Sequence, residues 1–167
     1  MPVIDGASEE ENFCFGRECQ IKLHCVDFRD FQAAIKRFGY RLDMTDEHMR
    51  AIAPVLRLDL DFMKSQPNSA QAICYFDREF AYYNGSHNVE NLTLLGWFLC
   101  RHYSEETQTR ELWHLMNPEI LDHVTKREVV AIISRLVYIA VNLNQKILNA
   151  MPDGDLKRQA MMYHKKI

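Results

Sequence analysis

LWHLMNPEILDHVTKREVVAII, residues 112–133, runs from one amphipathic stretch through a polar break into a second. Leu112, Leu115 and Met116 recur at helical spacing before the break, and Asn117 followed by Pro118 is a stop signal. How the fold is read turns on this break, which either only joins two helices or also gathers oxygens around an ion.

The surrounding chain sets bounds on that choice. Its 167 residues fit one domain or two small lobes and can bury a real core. Hydrophobic residues at 47% and charged residues at 26% are the balance of a globular protein, and a net charge of -3 offers nucleic acid no attraction. Lys157, Arg158, Lys165 and Lys166 near the C-terminus read as a solvated end. The five cysteines, Cys14, Cys19, Cys25, Cys74 and Cys100, are odd in number behind an acidic N-terminus, so reduced thiols and an intracellular, cytoplasmic location are expected. Cys14, Cys19, His24 and Cys25 lack the paired spacing of a zinc site. In that setting the sequons at Asn84 and Asn91 are chance matches. VVAIISRLVYIAV is interrupted by Ser134 and Arg135 and is shorter than the roughly 20 residues of a span, so no membrane crossing is expected.

Helical punctuation recurs along the chain. Residues 1–12 are acidic and read as a loose N-terminus, and Phe13, Phe15, Ile21 and Leu23 suggest short extended pieces. Asp27 is a candidate cap for a helix carrying Phe28, Phe31, Ile35 and Phe38, which Gly39 would stop. A second helix begins at Thr45 or Asp46 and meets Pro54. Residues 63–71 read as a loop, followed by a short apolar piece. NGSHN breaks the chain again, and Asn88 can cap VENLTLLGWFLCRHY. The expected organisation is 1–12 flexible, 13–83 a first pair of helical units, 84–150 a second helical lobe and 151–167 a tail.

If Asn117 opens a twelve-residue calcium loop, Val124 takes the hydrophobic eighth position and Glu128 the terminal acid. Asn117, Glu119 and Thr125 then supply side-chain oxygens and His123 its carbonyl. Leu121 supplies none, and Asp122 stands where glycine makes the turn. The same frame recurs with Val26 and Asp30 if Cys19 opens it, and with Ile73 and Asp77 if Gln66 does. Neither of these offers a hard cation enough oxygens.

Three such units, Val26-Asp27-Phe28-Arg29-Asp30-Phe31, Ile73-Cys74-Tyr75-Phe76-Asp77, and Leu112 to Glu128 through Val124, make residues 19 to 141 resemble the EF-hand superfamily, in its calmodulin-like or penta-EF-hand-like forms. The resemblance implies an all-α fold of helix-loop-helix units joined by short two-stranded bridges at the eighth loop position, which would set Val26 beside Ile73. A bundle of helices with short loops is the plainer reading. With two carboxylates at most, Glu119 and Glu128, the 117–128 loop should bind calcium below the sensor range of about 10⁻⁷ to 10⁻⁵ M.

No phosphate-cradling loop, nucleophile elbow or paired Glu-x-x-His is present, so no catalysis and no cofactor are expected. The helix after Glu128 is too apolar for a one-sided surface helix. Val129, Ile132, Ile133, Leu136, Val137, Ala140 and Leu143 fill one face, and Val130, Tyr138 and Val141 widen it. LTLLGWFL, with Trp97 and Phe98, poses the same problem. Either the two segments bury each other or part of them, with Val130, Tyr138, Val141, Trp97 and Phe98, meets a protein partner such as a helical segment. The expected function is a non-catalytic interaction or structural adaptor in a larger assembly, with a calcium-responsive regulator using the 117–128 loop as the alternative.

Overall fold

A computed structural model describes residues 20–38 and 42–150, with Asp5, Gly6, Ser8, Glu9, Asn12, Arg158 and Met162. Phe13, Phe15, Cys14, Cys19, Gly39 and most of both termini lie outside the described residues, and with them the expectations placed there. The protein is mostly helical with one small antiparallel sheet of three strands, where two-stranded bridges were expected.

After a 3-10 turn at Leu23–Cys25 comes α1 (Phe28–Ile35), capped by Asp27, whose Oδ1 accepts from Arg29 N at 2.9 Å. Its apolar spacing buries Phe28, Phe31, Ala34 and Ile35. Strand β1 (Asp43–Thr45) leads into α2 (Asp46–Ile52), where Thr45 and His48 form a reciprocal capping box. Then follow α3 (Leu60–Ser65), capped by Asp59, and α4 (Ala70–Phe76), capped by Ser69. Strands β2 (Tyr82–Tyr83) and β3 (Ser86–Asn88) form a hairpin, with Asn84 and Gly85 both at positive φ, 51° and 77°. Those are the angles of the two-residue turn that matches strand twist, and Asn-Gly is its preferred sequence. β3 also pairs with β1, so that Met44 faces His87.

The expected bridge between Val26 and Ile73 is absent. Ile73 lies within α4, where its N–H donates to Ser69 O at 3.0 Å, so it has no free edge to pair. The Val26 carbonyl instead accepts from Arg101 N at 2.9 Å, and Phe28 N donates to Arg101 O. The expected division at 83/84 falls inside the β2–β3 hairpin.

Helix α5 (Val89–Leu99) is the centre of the core. It touches α1, β3, the 3-10 turn, α6 (Glu105–Met116) and α7 (Lys126–Val137), which explains why its sequence is apolar on every side. Leu92, Leu94 and Leu95 are at most 1% exposed, each worth about 1.5–3 kcal/mol by burial. Gly96 is dictated by the approach of α1: a Cβ there would lie 2.3 Å from Phe31 Cε1. Past α7 the helix continues through a π segment, Tyr138–Leu143, into α8 (Asn144–Asn149). No helix among the described residues is long and apolar enough to cross a membrane.

Candidate functional site

Six helices begin in one way: in α2 to α7 an N-cap (Thr45, Asp59, Ser69, Asn88, Ser104, Thr125) accepts from the backbone N–H three residues on. In α2, α5 and α7 the residue before the cap is Met44, His87 or Val124, and the side chain three residues after the cap is itself used. Glu128 Oε2 accepts from Thr125 N at 2.7 Å, His48 Nδ1 faces Thr45 N at 3.4 Å, and Asn91 Nδ2 donates to Phe80 O at 2.7 Å.

This arrangement decides what loop 117–128 can hold. Asn117, the C-cap of α6, is buried and folds back on its own turn, accepting from Leu121 N at 3.0 Å and donating to Leu121 O. Thr125 and Glu128 engage each other at the start of α7, while Glu119 and His123 are exposed. The structure therefore brings together two of the five candidate ligands and turns Asn117 away into a local turn. No group of three or more His, Cys, Asp or Glu is placed to hold a metal ion among the described residues. His24 and Cys25 contact each other at 3.2 Å. The left-handed turn falls at Ile120, φ 55°, rather than at Asp122, the position where a calcium loop has its glycine. A β-branched residue is disfavoured in that conformation, and Ile120 is nonetheless 84% exposed.

The apolar surface of the last helix divides into two rows. Ile132, Ile139, Leu143 and Ile147 are buried toward the core, whereas Val130, Ile133, Val137 and Val141 stand 41–52% exposed. Ile133 and Val137 thus join Val130 and Val141, although their apolar character alone assigned them to the inner face. The signal that separates the rows is spacing: residues 130, 133, 137 and 141 advance by three or four and so share a side.

Tyr138 turns inward. Its hydroxyl donates to Asp77 Oδ2 at 2.7 Å, its ring stacks on Phe80 at 5.2 Å, and Lys146 Nζ donates to both Asp77 Oδ1 and the Tyr138 oxygen. Burial first, then the Asp77 carboxylate, pushes the phenol up to about 12. Burial lowers the Lys146 pKa, but its bonds to Asp77 and Tyr138 outweigh that and raise it. This latch fastens the helix to the end of α4. Trp97 is half-buried, with Nε1 donating to Gln108 O at 2.8 Å, and Phe98 is exposed at 38%. Ile120, Leu121 and Trp113 add exposed apolar surface that the spacing of the sequence did not mark.

Two histidines serve as struts. His87, with a fully buried side chain, sets Nδ1 against Tyr75 O and Nε2 against Asp46 Oδ1, both at 3.1 Å. Burial lowers its pKa, against the opposing pull of Asp46 and the Tyr75 carbonyl. For Asp46, burial raises the pKa, and the contacts from Lys64 and His87 bring the net value down. His102 spans Glu111 Oε2 at 2.7 Å and Trp97 O at 2.6 Å, tying α6 to α5.

No family model matches the chain, and no curated protein or solved structure does either.

Proposed function

We propose that the chain is a non-catalytic protein-interaction or structural adaptor, a subunit of a larger assembly, built on EF-hand-like units whose loops are closed by the chain's own hydrogen bonds instead of by calcium. The observation that carries this reading is the antiparallel pair Met44 and His87, which joins the two segments leading directly into α2 and α5. With Met44, His87 and Val124 as the eighth loop residues, the loops open at Arg37, Phe80 and Asn117 and end at His48, Asn91 and Glu128.

In this register the twelfth residue is an imidazole, an amide and a carboxylate, where a calcium loop wants an acid each time. The Asn91 amide donates to the carbonyl of Phe80, the first loop residue, so one hydrogen bond spans the loop that an ion would otherwise draw together. Glu128 is held as the partner of Thr125 N. The surface that such joints would present is the exposed row of the last helix, Val130, Ile133, Val137 and Val141.

Calorimetric titration with calcium, paired with melting curves, tests the reading. With a dissociation constant of about 1 mM or weaker, about 1 mM calcium stabilises the protein by at most about 0.4 kcal/mol, a shift in melting temperature near the limit of detection. Micromolar binding that Glu128→Gln abolishes would replace the adaptor by the calcium-responsive reading.

A further inference from the structure

We propose that the exposed row Val130, Ile133, Val137 and Val141 docks an amphipathic helix of a partner protein, whose acidic residues lie at the end that meets Lys126 and Arg127. The proposal rests on the adaptor reading and adds the chemistry of the partner.

The row sits on a helix tied to other elements at its middle and far end. The Arg135–Glu90 ion pair holds the middle and the Tyr138–Asp77–Lys146 latch the far end, while the Thr125–Glu128 capping box keeps the first turn from fraying. β-Branched side chains have few rotamers to lose on a helix, so a row built from them on a pinned element gives up little entropy on binding. From residue 130 to 141 the row covers about 16 Å, three helical turns, which suits a second helix lying alongside with contacts every three or four residues.

Charge selects the occupant. Residues 129–150 contain no Asp or Glu. Their two cations, Arg135 and Lys146, are already neutralised by Glu90 and Asp77. Lys126 and Arg127 are exposed, precede Val130 by one turn, and form no ion pair among the described residues. They also stand at the positive end of the helix dipole. Carboxylates at one end of the incoming helix would be drawn there, fixing its direction. A second copy of this chain paired through the same row does not meet the requirement. Paired in parallel, the two cationic ends would face each other; paired antiparallel, each would meet the acid-free stretch 141–149.

Two designed amphipathic peptides with one leucine face, one carrying a glutamate cluster at one end and the other a lysine cluster, are titrated against the full chain by fluorescence anisotropy. The glutamate peptide should bind at least about tenfold tighter, and Lys126→Glu with Arg127→Glu should reverse the preference. Val137→Ser with Val141→Ser should abolish binding while leaving the melting curve in place. Equal binding of the two peptides, or binding of neither, overturns the proposal. So does a chain whose own dimer, seen by sedimentation, is lost in the valine variant, and so does binding to anionic phosphatidylserine vesicles in place of the peptides. Failure of the peptides beside an unchanged calcium titration removes this proposal alone, whereas tight calcium binding removes the adaptor reading whatever the peptides do.

Discussion

Residues Phe28 to Leu99 and residues Glu105 to Val137 are built from similar capped helices, yet they hide very different shares of themselves. In the first region α4 buries Ala70, Gln71, Ala72, Cys74 and Tyr75, and α5 buries five consecutive residues from Leu92 to Gly96. In the second, α6 buries no residue and α7 only Ile132. Cohesion therefore resides in the first region, which wraps its helices around α5. The second region rests on that core through Ile132 and the partly buried Leu112, Leu115, Met116 and Leu136, with directed contacts from His102 to Glu111, Trp97 to Gln108 and Arg135 to Glu90, and keeps its other apolar side chains in water.

The largest expected effect lies in the first region. Phe31→Ala removes a fully buried ring and should cost about 3–5 kcal/mol, read from urea unfolding. Gly96→Ala attacks the same contact from the other side. The added methyl meets an aromatic ring with no room to retreat, for a loss of about 1–3 kcal/mol. A melting temperature unchanged by Gly96→Ala would mean that α1 and α5 are not packed as described.

Acidity probes the strut of the sheet. Because burial lowers the pKa of His87, the unfolded chain holds more protons than the folded one just below the usual histidine pKa of about 6.5. Stability is then full above that pH and falls as pH drops through it toward the folded value. Asp46, lowered in its turn, gives up its contribution further down, below the usual carboxylate value of about 3.9. His87→Gln should flatten the upper part of this profile. Stability that rises on acidification from pH 7 would show the imidazole to be held as a cation by its two acceptors.

The second region should respond little. Ile120→Gly relieves a left-handed β-branched residue at the cost of a freer unfolded chain, for a net gain of about 0.5 kcal/mol. Smaller still, Val137→Ser should stay within about 0.5 kcal/mol of the parent, as exposed substitutions do. Global unfolding by Val137→Ser would erase the distinction between the two regions.

Much of the helical layout was legible because caps and breakers act locally. Asp27, Thr45, Asn88 and the Asn117-Pro118 stop mark real helix ends. The sheet was not, because frames counted from Val26 and Ile73 relied on spacing to an acid, and Asp30 and Asp77 serve other ends. Asp30 lies in the first turn of α1, and Asp77 anchors Tyr138 and Lys146. One signal pointed elsewhere: the Asn84-Gly85 dipeptide, whose turn joins two adjacent strands. Among the candidate surface residues, Val130, Val141 and Phe98 are exposed and Trp97 is half-buried, while Tyr138 is drawn inward by Asp77. No periodicity in the helix itself carries that information, since Asp77 is 61 positions away.

The Asn84-Gly85 turn also bears on the order in which the molecule assembles. Its strands are adjacent in the chain, so the β2–β3 hairpin can close on the microsecond scale typical of such units. β1 joins it only after a loop of roughly 40 residues has been drawn in, a search whose entropic cost grows with loop length. His87 stands on the hairpin with its back to Tyr75 and its face to Asp46, on the segment that arrives last. The sheet is thus a delayed fastening, and slowing the arrival of β1, for example by lengthening the segment between α2 and α3, should lower the refolding rate while leaving the rate of unfolding nearly untouched.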